Sequence, residues 1–166
     1  ISPDGSLNAF KLVEDSSTGS HSVYVSFSSL ASSKYTFSAF IKKGERYKCS
    51  LADRNSGAYA SFNLNYGTVI AESGMVGKIE VLPNDWYKLS IVNTSATTVF
   101  VPQIFVLENS YTTGLPILLN YSGDGTSGVY IFGAMFEQGS FPTSYIKSNS
   151  GSTTTRSAET ANGAGD

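Results

Sequence analysis

Two groups of tyrosines stand beside amide, carboxylate and guanidinium side chains, which is a combination suited to binding a sugar. In the first group, Tyr59 and Tyr66 flank a predicted strand that carries Asn63, and Arg54 lies in the turn before this strand. An aromatic ring covers the apolar face of a pyranose, while planar polar groups bond its hydroxyls. This first group therefore predicts a carbohydrate contact.

The second group brackets an irregular segment near the C-terminal third of the chain. Tyr111 and Tyr121 stand at its two ends, and Asn120 and Asp124 supply the polar groups. Trp86 is a further stacking candidate because of its residue type. A tyrosine on a strand also serves simply to fill the core or to cover a sheet face, and this alternative stays open for each of them.

The side chains required for catalysis are sparse. His21 is the only histidine, so one chain cannot build a metal site with two histidines, and no Gly-x-Ser-x-Gly motif is present. We expect His21 to be a solvated residue at the start of a strand. No pair among the candidate carboxylates is marked for glycoside hydrolysis; these are Glu72, Glu80, Glu108, Asp124 and Glu137. The sequence predicts that the domain is not an enzyme.

Composition limits both the fold and the partners. The chain has 166 residues, a net charge of −2 and only 14% charged residues, so electrostatic capture of nucleic acid or of an anionic membrane is not expected. No apolar stretch is long enough to insert into a membrane. Its single cysteine, Cys49, alternates with apolar residues and is predicted to be a buried, inert thiol. Because the chain begins at Ile1 without a methionine, we expect a fragment of a longer polypeptide.

Apolar residues alternate with polar ones along many short segments, and turn residues separate these segments. This pattern predicts an all-β fold with two antiparallel sheets packed as a β-sandwich over residues 1–148. Pro102 predicts an edge strand or a bulge. The expected core residues are Phe37, Ile41, Leu89, Ile91, Val129 and Ile131. Residues 149–166 form a Ser-, Thr- and Gly-rich tail that is either flexible or docked, for example through Arg156.

The run from Gly128 to Arg156 is the most distinctive part of the chain. Val129 to Phe136 has large residues on both faces, which predicts a strand lying between two layers, and Gly139 and Pro142 then lead the chain across the surface. In its residue types and their order, this run resembles the C-terminal signature of β-sandwiches that are similar to lectins and carbohydrate-binding modules. Such domains occur in bacteriophage tail fibres, tailspikes and other virion proteins. Three upstream segments match the same pattern; they begin at Tyr35, Ala60 and Asn84.

The resemblance implies a jelly-roll-like, non-catalytic domain that recognises glycans on the bacterial surface. It places the domain in the virion, in the phage tail, and it implies that the domain acts outside the cell in host recognition. The expected partners are a bacterial surface polysaccharide and either two further copies of the chain, in a homotrimer, or other virion subunits. The alternative is a structural or oligomerisation module of a virion fibre with no ligand of its own. Trp86 occupies an Asn-Asp-Trp-Tyr motif that favours packing in this family.

Calcium is the one cofactor that the resemblance leaves open. Sandwiches of this kind often hold a structural Ca²⁺ near the place where the first and last strands meet. Asp4, Asp15 and Glu137 are the carboxylate ligands expected near such a place, although the chain lacks a dense Asp-x-Asp loop. Glu137 ends the last strand at a position that the family pattern also fills with an acid, which is consistent with a structural hydrogen bond or a metal ligand.

Overall fold

The computed structural model describes residues 1–147, which fold as a β-sandwich of two five-stranded sheets. The first sheet has the order β1-β14-β5-β10-β9: β1 Phe10–Val13, β14 Gly128–Gln138, β5 Lys34–Lys43, β10 Trp86–Thr94 and β9 Val76–Val81. The second has the order β3-β12-β6-β7-β8: β3 His21–Tyr24, β12 Pro102–Leu107, β6 Lys48–Asp53, β7 Ala58–Asn63 and β8 Thr68–Ser73. All of these neighbours pair antiparallel, which confirms the predicted all-β sandwich.

Short elements complete the described chain. Two pairs of two-residue strands stand apart from the main sheets: β2 Thr18–Gly19 with β13 Tyr121–Ser122, and β4 Phe27–Ser28 with β11 Val99–Phe100. Two single 3₁₀ turns occur at Pro83–Asp85 and Pro116–Leu118. Neither turn, nor any other helix in the described range, is long and apolar enough to cross a membrane.

The main core lies between the two sheets and is built by strict alternation along the strands. In β5, Phe37 and Ile41 point inward. On the neighbouring strand β10, Leu89 and Ile91 point into the same core, and Ile91 pairs with Phe37. Cys49 lies in the same core, where burial raises the pKa of its thiol. Of the other predicted core residues, Val129 is fully buried, whereas Ile131 packs against the core but stays partly exposed.

A second apolar cluster lies on the outer face of the second sheet. The segment after β12, residues 108–120, crosses this face and places Tyr111 against Tyr59, Phe105 and Leu107. Every residue of β7 and of β12 is therefore buried, although only one face of each strand is turned toward the main core. The inner strands β7 and β12 of the second sheet are therefore covered on both faces.

The segment after β14 covers part of the outer face of the first sheet, around Phe40, Lys88 and Phe132. Thr143 donates two hydrogen bonds to the Glu137 carboxylate, and Lys88 donates one to the Thr143 carbonyl. The Tyr145 ring then packs against Phe40 and Phe132, with ring centroids 6.3 and 5.0 Å away. This arrangement confirms the prediction that β14 lies between two layers. The predicted tail over residues 149–166, with Arg156, lies outside the described residues.

Two local expectations differ from the structure. Pro102 is the first residue of β12, which is an interior strand between β3 and β6, and not an edge. A proline fits there because a first position makes no demand on its missing N–H. His21 is buried rather than solvated, because the Tyr121 ring packs edge-on against it at 4.7 Å.

Candidate functional site

The four predicted sugar-stacking tyrosines lie in three separate places. Tyr59 and Tyr111 meet, but both are buried in the second apolar cluster, where the Tyr111 hydroxyl donates to the Gly114 carbonyl. Burial also raises the pKa of this hydroxyl. Tyr66 lies alone and 79% exposed in the turn between β7 and β8. Tyr121 is half-buried at the base of the loop before β14, so the four rings do not form one platform.

The predicted polar partners are mostly engaged within their own loops. Asp124 accepts hydrogen bonds from Thr126 and Ser127, which hold the pKa of its carboxyl well below its usual range. Asn63 is buried and accepts from the Asn65 amide. Asn120 is exposed beside Tyr121.

Arg54 and Tyr59 are the two predicted residues that border a common space. Arg54 stacks on the exposed ring of Tyr24, with its guanidinium carbon 4.2 Å from the ring centroid. The cavity that Arg54 and Tyr59 line, together with Gln103 and Ile117, has a volume of about 40 Å³. Ligand pockets usually enclose about 300–1,000 Å³, so this cavity is too small for a sugar ring.

Trp86 is a packing residue in this fold. Its side chain is buried at the start of β10, and its indole N–H donates to the Ile1 carbonyl at 3.1 Å. A buried tryptophan with its N–H satisfied presents no face to a ligand. The location agrees with the packing role that the Asn-Asp-Trp-Tyr motif implied.

The three carboxylates predicted as calcium ligands each bond neighbouring side chains. Asp4 accepts from Ser2 and Ser6, Asp15 accepts from Ser17, and Glu137 is bonded to Thr143 as described above. Within residues 1–147, no three acidic, histidine or cysteine side chains come together as one metal-binding group. The donor set therefore does not fit a calcium ion held by these three residues.

A buried ion pair that the sequence did not reveal ties β1 to the turn after β5. Arg46 donates two hydrogen bonds to the buried Glu14 carboxylate, at 2.9 and 2.5 Å, and the Tyr121 hydroxyl lies 2.9 Å from it. Burial alone would raise the pKa of Glu14, but the bonds from Arg46 and Tyr121 outweigh it and lower that pKa. For Tyr121, burial and the neighbouring Glu14 raise the pKa. The paired Glu14 is a structural anion.

A second open space, larger than the cavity at Arg54, is a cleft where β1 begins beside the middle of β14. We call it the terminal cleft. The residues that line it include Asn8, Phe10, Phe132, Gly133, Tyr145 and Lys147. Its volume is about 480 Å³, which falls in the usual range for ligand pockets. Phe10 is 72% exposed at its edge, and the Asn8 side-chain oxygen accepts from Ser2, which fixes the amide there.

A bulge in β14 shapes the terminal cleft. The register between β14 and β5 shifts between Phe132 and Met135, and Gly133 within the bulge has a φ of +57°. A side chain at Gly133 would stand 3.0 Å from the Phe40 ring and 3.1 Å from the Tyr145 ring. Glycine is therefore needed both for the backbone conformation and for the close approach of the rings.

Replacing Gly133 with alanine should destabilise the domain by more than the backbone penalty of about 1–2 kcal/mol. The control is Gly57→Ala, because Gly57 has a φ of +75° with open space around it and so isolates the backbone cost. Chemical denaturation measures both variants. Equal losses of stability in the two variants would contradict the role of the Phe40 and Tyr145 rings in holding the bulge.

The terminal cleft offers the chemistry that was predicted for the tyrosine groups. Phe10, Phe132 and Tyr145 supply aromatic surface, while Asn8 and Lys147 supply hydrogen-bonding groups at the rim. None of these five residues was predicted as a site residue. The one local signal was Gly133, since an isolated glycine within a strand pattern indicates a bulge. Neither a protein-family model nor a curated protein matches the chain in sequence searches.

Proposed function

We propose that this chain is a non-catalytic carbohydrate-binding domain of a phage tail or receptor-binding protein that recognises bacterial surface glycans. The observation that carries the proposal is the terminal cleft, whose three aromatic rings stand beside an amide and an ammonium group. Such a site can stack on the apolar face of a sugar and bond its hydroxyls at the rim. The virion setting rests on the sequence resemblance of the Gly128–Arg156 run.

The lining of the terminal cleft supports binding rather than catalysis. Glycoside hydrolysis commonly uses two carboxylates placed on either side of the scissile bond. The described residues that line the cleft include no aspartate and no glutamate. Among the described residues, a sugar held there would meet aromatic, aliphatic, amide and ammonium groups, which favours binding and release without reaction.

Isothermal titration of the full chain with a panel of bacterial surface polysaccharides and their oligosaccharide fragments tests this proposal. We expect saturable binding to at least one glycan and no release of new reducing ends on prolonged incubation. Absence of binding to every glycan in the panel, by the protein in its native oligomeric state, would contradict carbohydrate recognition. Release of reducing ends would contradict a non-catalytic role.

A structural or oligomerisation module of a virion fibre is the second candidate function. The observation that favours it is a run of exposed apolar residues after His21, which includes Val23, Val25, Phe27 and Leu30. Exposed apolar residues that form a continuous patch mark interaction surfaces. Multi-angle light scattering separates the candidates when it is combined with glycan titration, because a module of this kind assembles but binds no sugar.

A further inference from the structure

The lining of the terminal cleft carries charge of one sign. Among the described residues that line the cleft, Lys147 is the one charged side chain, because no aspartate, glutamate or arginine is present. The Lys147 side chain is exposed, and its ammonium forms no ion pair with a carboxylate of residues 1–147. A ligand in the cleft therefore meets a positive charge that no described carboxylate neutralises.

The hydrogen-bonding groups of the lining favour a ligand that accepts hydrogen bonds. The Asn8 side-chain oxygen already accepts from Ser2, so the amide offers N–H to a ligand. A lysine ammonium has three N–H donors and no acceptor. A neutral sugar hydroxyl brings a donor of its own, whereas a carboxylate or phosphate oxygen without a proton only accepts. The lining is therefore better matched to an anionic group than to a hydroxyl.

Other charged residues lie close to the cleft without lining it. Asp4 accepts a hydrogen bond from Ser2, and its negative charge opposes an anionic ligand. Lys88 and Glu137 both bond Thr143, so these two opposite charges lie close together and offset each other. Charge interactions weaken with distance and with screening by water and salt. Direct contact with the ammonium group in the lining therefore outweighs the carboxylate outside it.

We propose that the terminal cleft selects glycans that carry an anionic group, a carboxylate or a phosphate, and that Lys147 recognises this group. The proposal rests on the carbohydrate-binding function proposed above and names its ligand class. The rings of Phe10 and Tyr145 pack on the apolar face of the sugar, while Lys147 and Asn8 donate hydrogen bonds to the anionic oxygens. A hydrogen bond between two charged groups is stronger than one to a neutral hydroxyl, so the anionic group sets the preference.

Titration of the full chain with matched pairs of glycans tests this preference. In the first pairs, a bacterial polysaccharide that contains uronic acid is compared with the same polysaccharide after reduction of its carboxyl groups to alcohols. In the second pairs, a phosphorylated oligosaccharide is compared with its dephosphorylated form. Each pair changes the charge and keeps the sugar linkages. We expect the anionic member of at least one pair to bind more tightly by about tenfold or more, and that pair identifies the anionic group.

Lys147→Gln should abolish this preference and leave the binding of the neutral members unchanged, whereas Lys147→Arg should retain the preference. The matched control is Lys78→Gln, because Lys78 is an exposed lysine on β9, at the opposite edge of the first sheet from β1. This control should keep the preference of the wild-type chain. Thermal unfolding confirms that each variant is folded.

Neutral glycans that bind as tightly as their anionic partners would overturn the anionic preference but leave carbohydrate binding intact. A preference that Lys147→Gln leaves unchanged, or that Lys78→Gln removes equally, would overturn the role of Lys147. Absence of binding to every glycan of either kind would overturn the proposed function itself, and this inference with it.

Discussion

Glu14→Gln should destabilise the domain by about 3–5 kcal/mol, the usual cost of removing one partner of a buried ion pair. Glutamine keeps the shape of the side chain but removes the negative charge that faces Arg46. The guanidinium then stays largely buried without a counter-ion, and the bonds from Tyr121 and the Asp124 amide lose a charged acceptor. Chemical denaturation at neutral pH measures the loss.

The control for Glu14 is Glu45→Gln, which removes the exposed ion pair between Lys11 and Glu45. Exposed pairs contribute about 0–1 kcal/mol, so this variant should lose little stability. Equal losses in the two variants would contradict the structural importance of Glu14.

The pH dependence of stability gives a second, independent measure of the same ion pair. The pKa of Glu14 is lower in the folded chain than its ordinary value of 4.5, so the ionised form stabilises the fold above that value. This contribution is lost as the pH falls through the lowered pKa of the folded state. The difference in unfolding free energy between wild type and Glu14→Gln should therefore shrink in acid. A difference that stays constant from pH 7 down to the acid limit of folding would contradict the assignment.

Leu89→Ala should cost about 2–5 kcal/mol, because it leaves a cavity at the centre of the main core. Leu89 is fully buried between Ile79 on one neighbouring strand and Ala39 on the other, and Ala39 is too small to fill the space that is left. Thermal or chemical unfolding measures the effect.

Ile131→Ala is the comparison for Leu89, because it removes a similar volume from a less enclosed place. Ile131 packs against the same core but also lines the terminal cleft, where solvent can fill the space that is left. We therefore expect a smaller loss than for Leu89. A loss at Ile131 as large as the loss at Leu89 would contradict its position at the cleft.

Local alternation was enough to predict the sandwich and its central core. In β5 and β10, every second residue faces inward, so Phe37 and Leu89 could be assigned to the core from the sequence. The turn at Arg54, expected before the Tyr59 strand, joins β6 to β7, and Gly57 takes the positive φ that this turn requires. The large residues on both faces of β14 indicated that both faces are in contact with other parts of the chain. On the outer face, Phe132 contacts Tyr145 of the segment that follows the strand.

Alternation could not indicate which outer faces are covered by distant segments. Tyr59 does point away from the main core, as its position in β7 requires, yet residues 108–120 pack over it. Tyr111 belongs to that covering segment, and nothing in the local pattern of Gly114 and Pro116 shows where the segment lies. The ion pair of Glu14 could not be predicted for the same reason, because its partner Arg46 is distant in sequence and comes close only in the folded chain.

The terminal cleft escaped prediction because three separated segments build it. Asn8 and Phe10 come from the start of the described chain, the bulge at Gly133 from β14, and Tyr145 from the covering segment. No spacing in the sequence relates these segments. Aromatic rings beside amide groups, the residue combination expected for a sugar site, also line the terminal cleft, but the choice of these particular residues required the tertiary structure.

Titration of Phe10→Ala and Tyr66→Ala with a glycan that binds the wild-type chain tests the central claim most directly. Both rings are mostly exposed, at 72% and 79%, so neither substitution should unfold the domain. Only Phe10 lines the terminal cleft. We expect Phe10→Ala to weaken binding at least tenfold, which is about 1.4 kcal/mol, and Tyr66→Ala to leave it unchanged. Unchanged binding in Phe10→Ala, or a loss confined to Tyr66→Ala, would contradict the terminal cleft as the carbohydrate site.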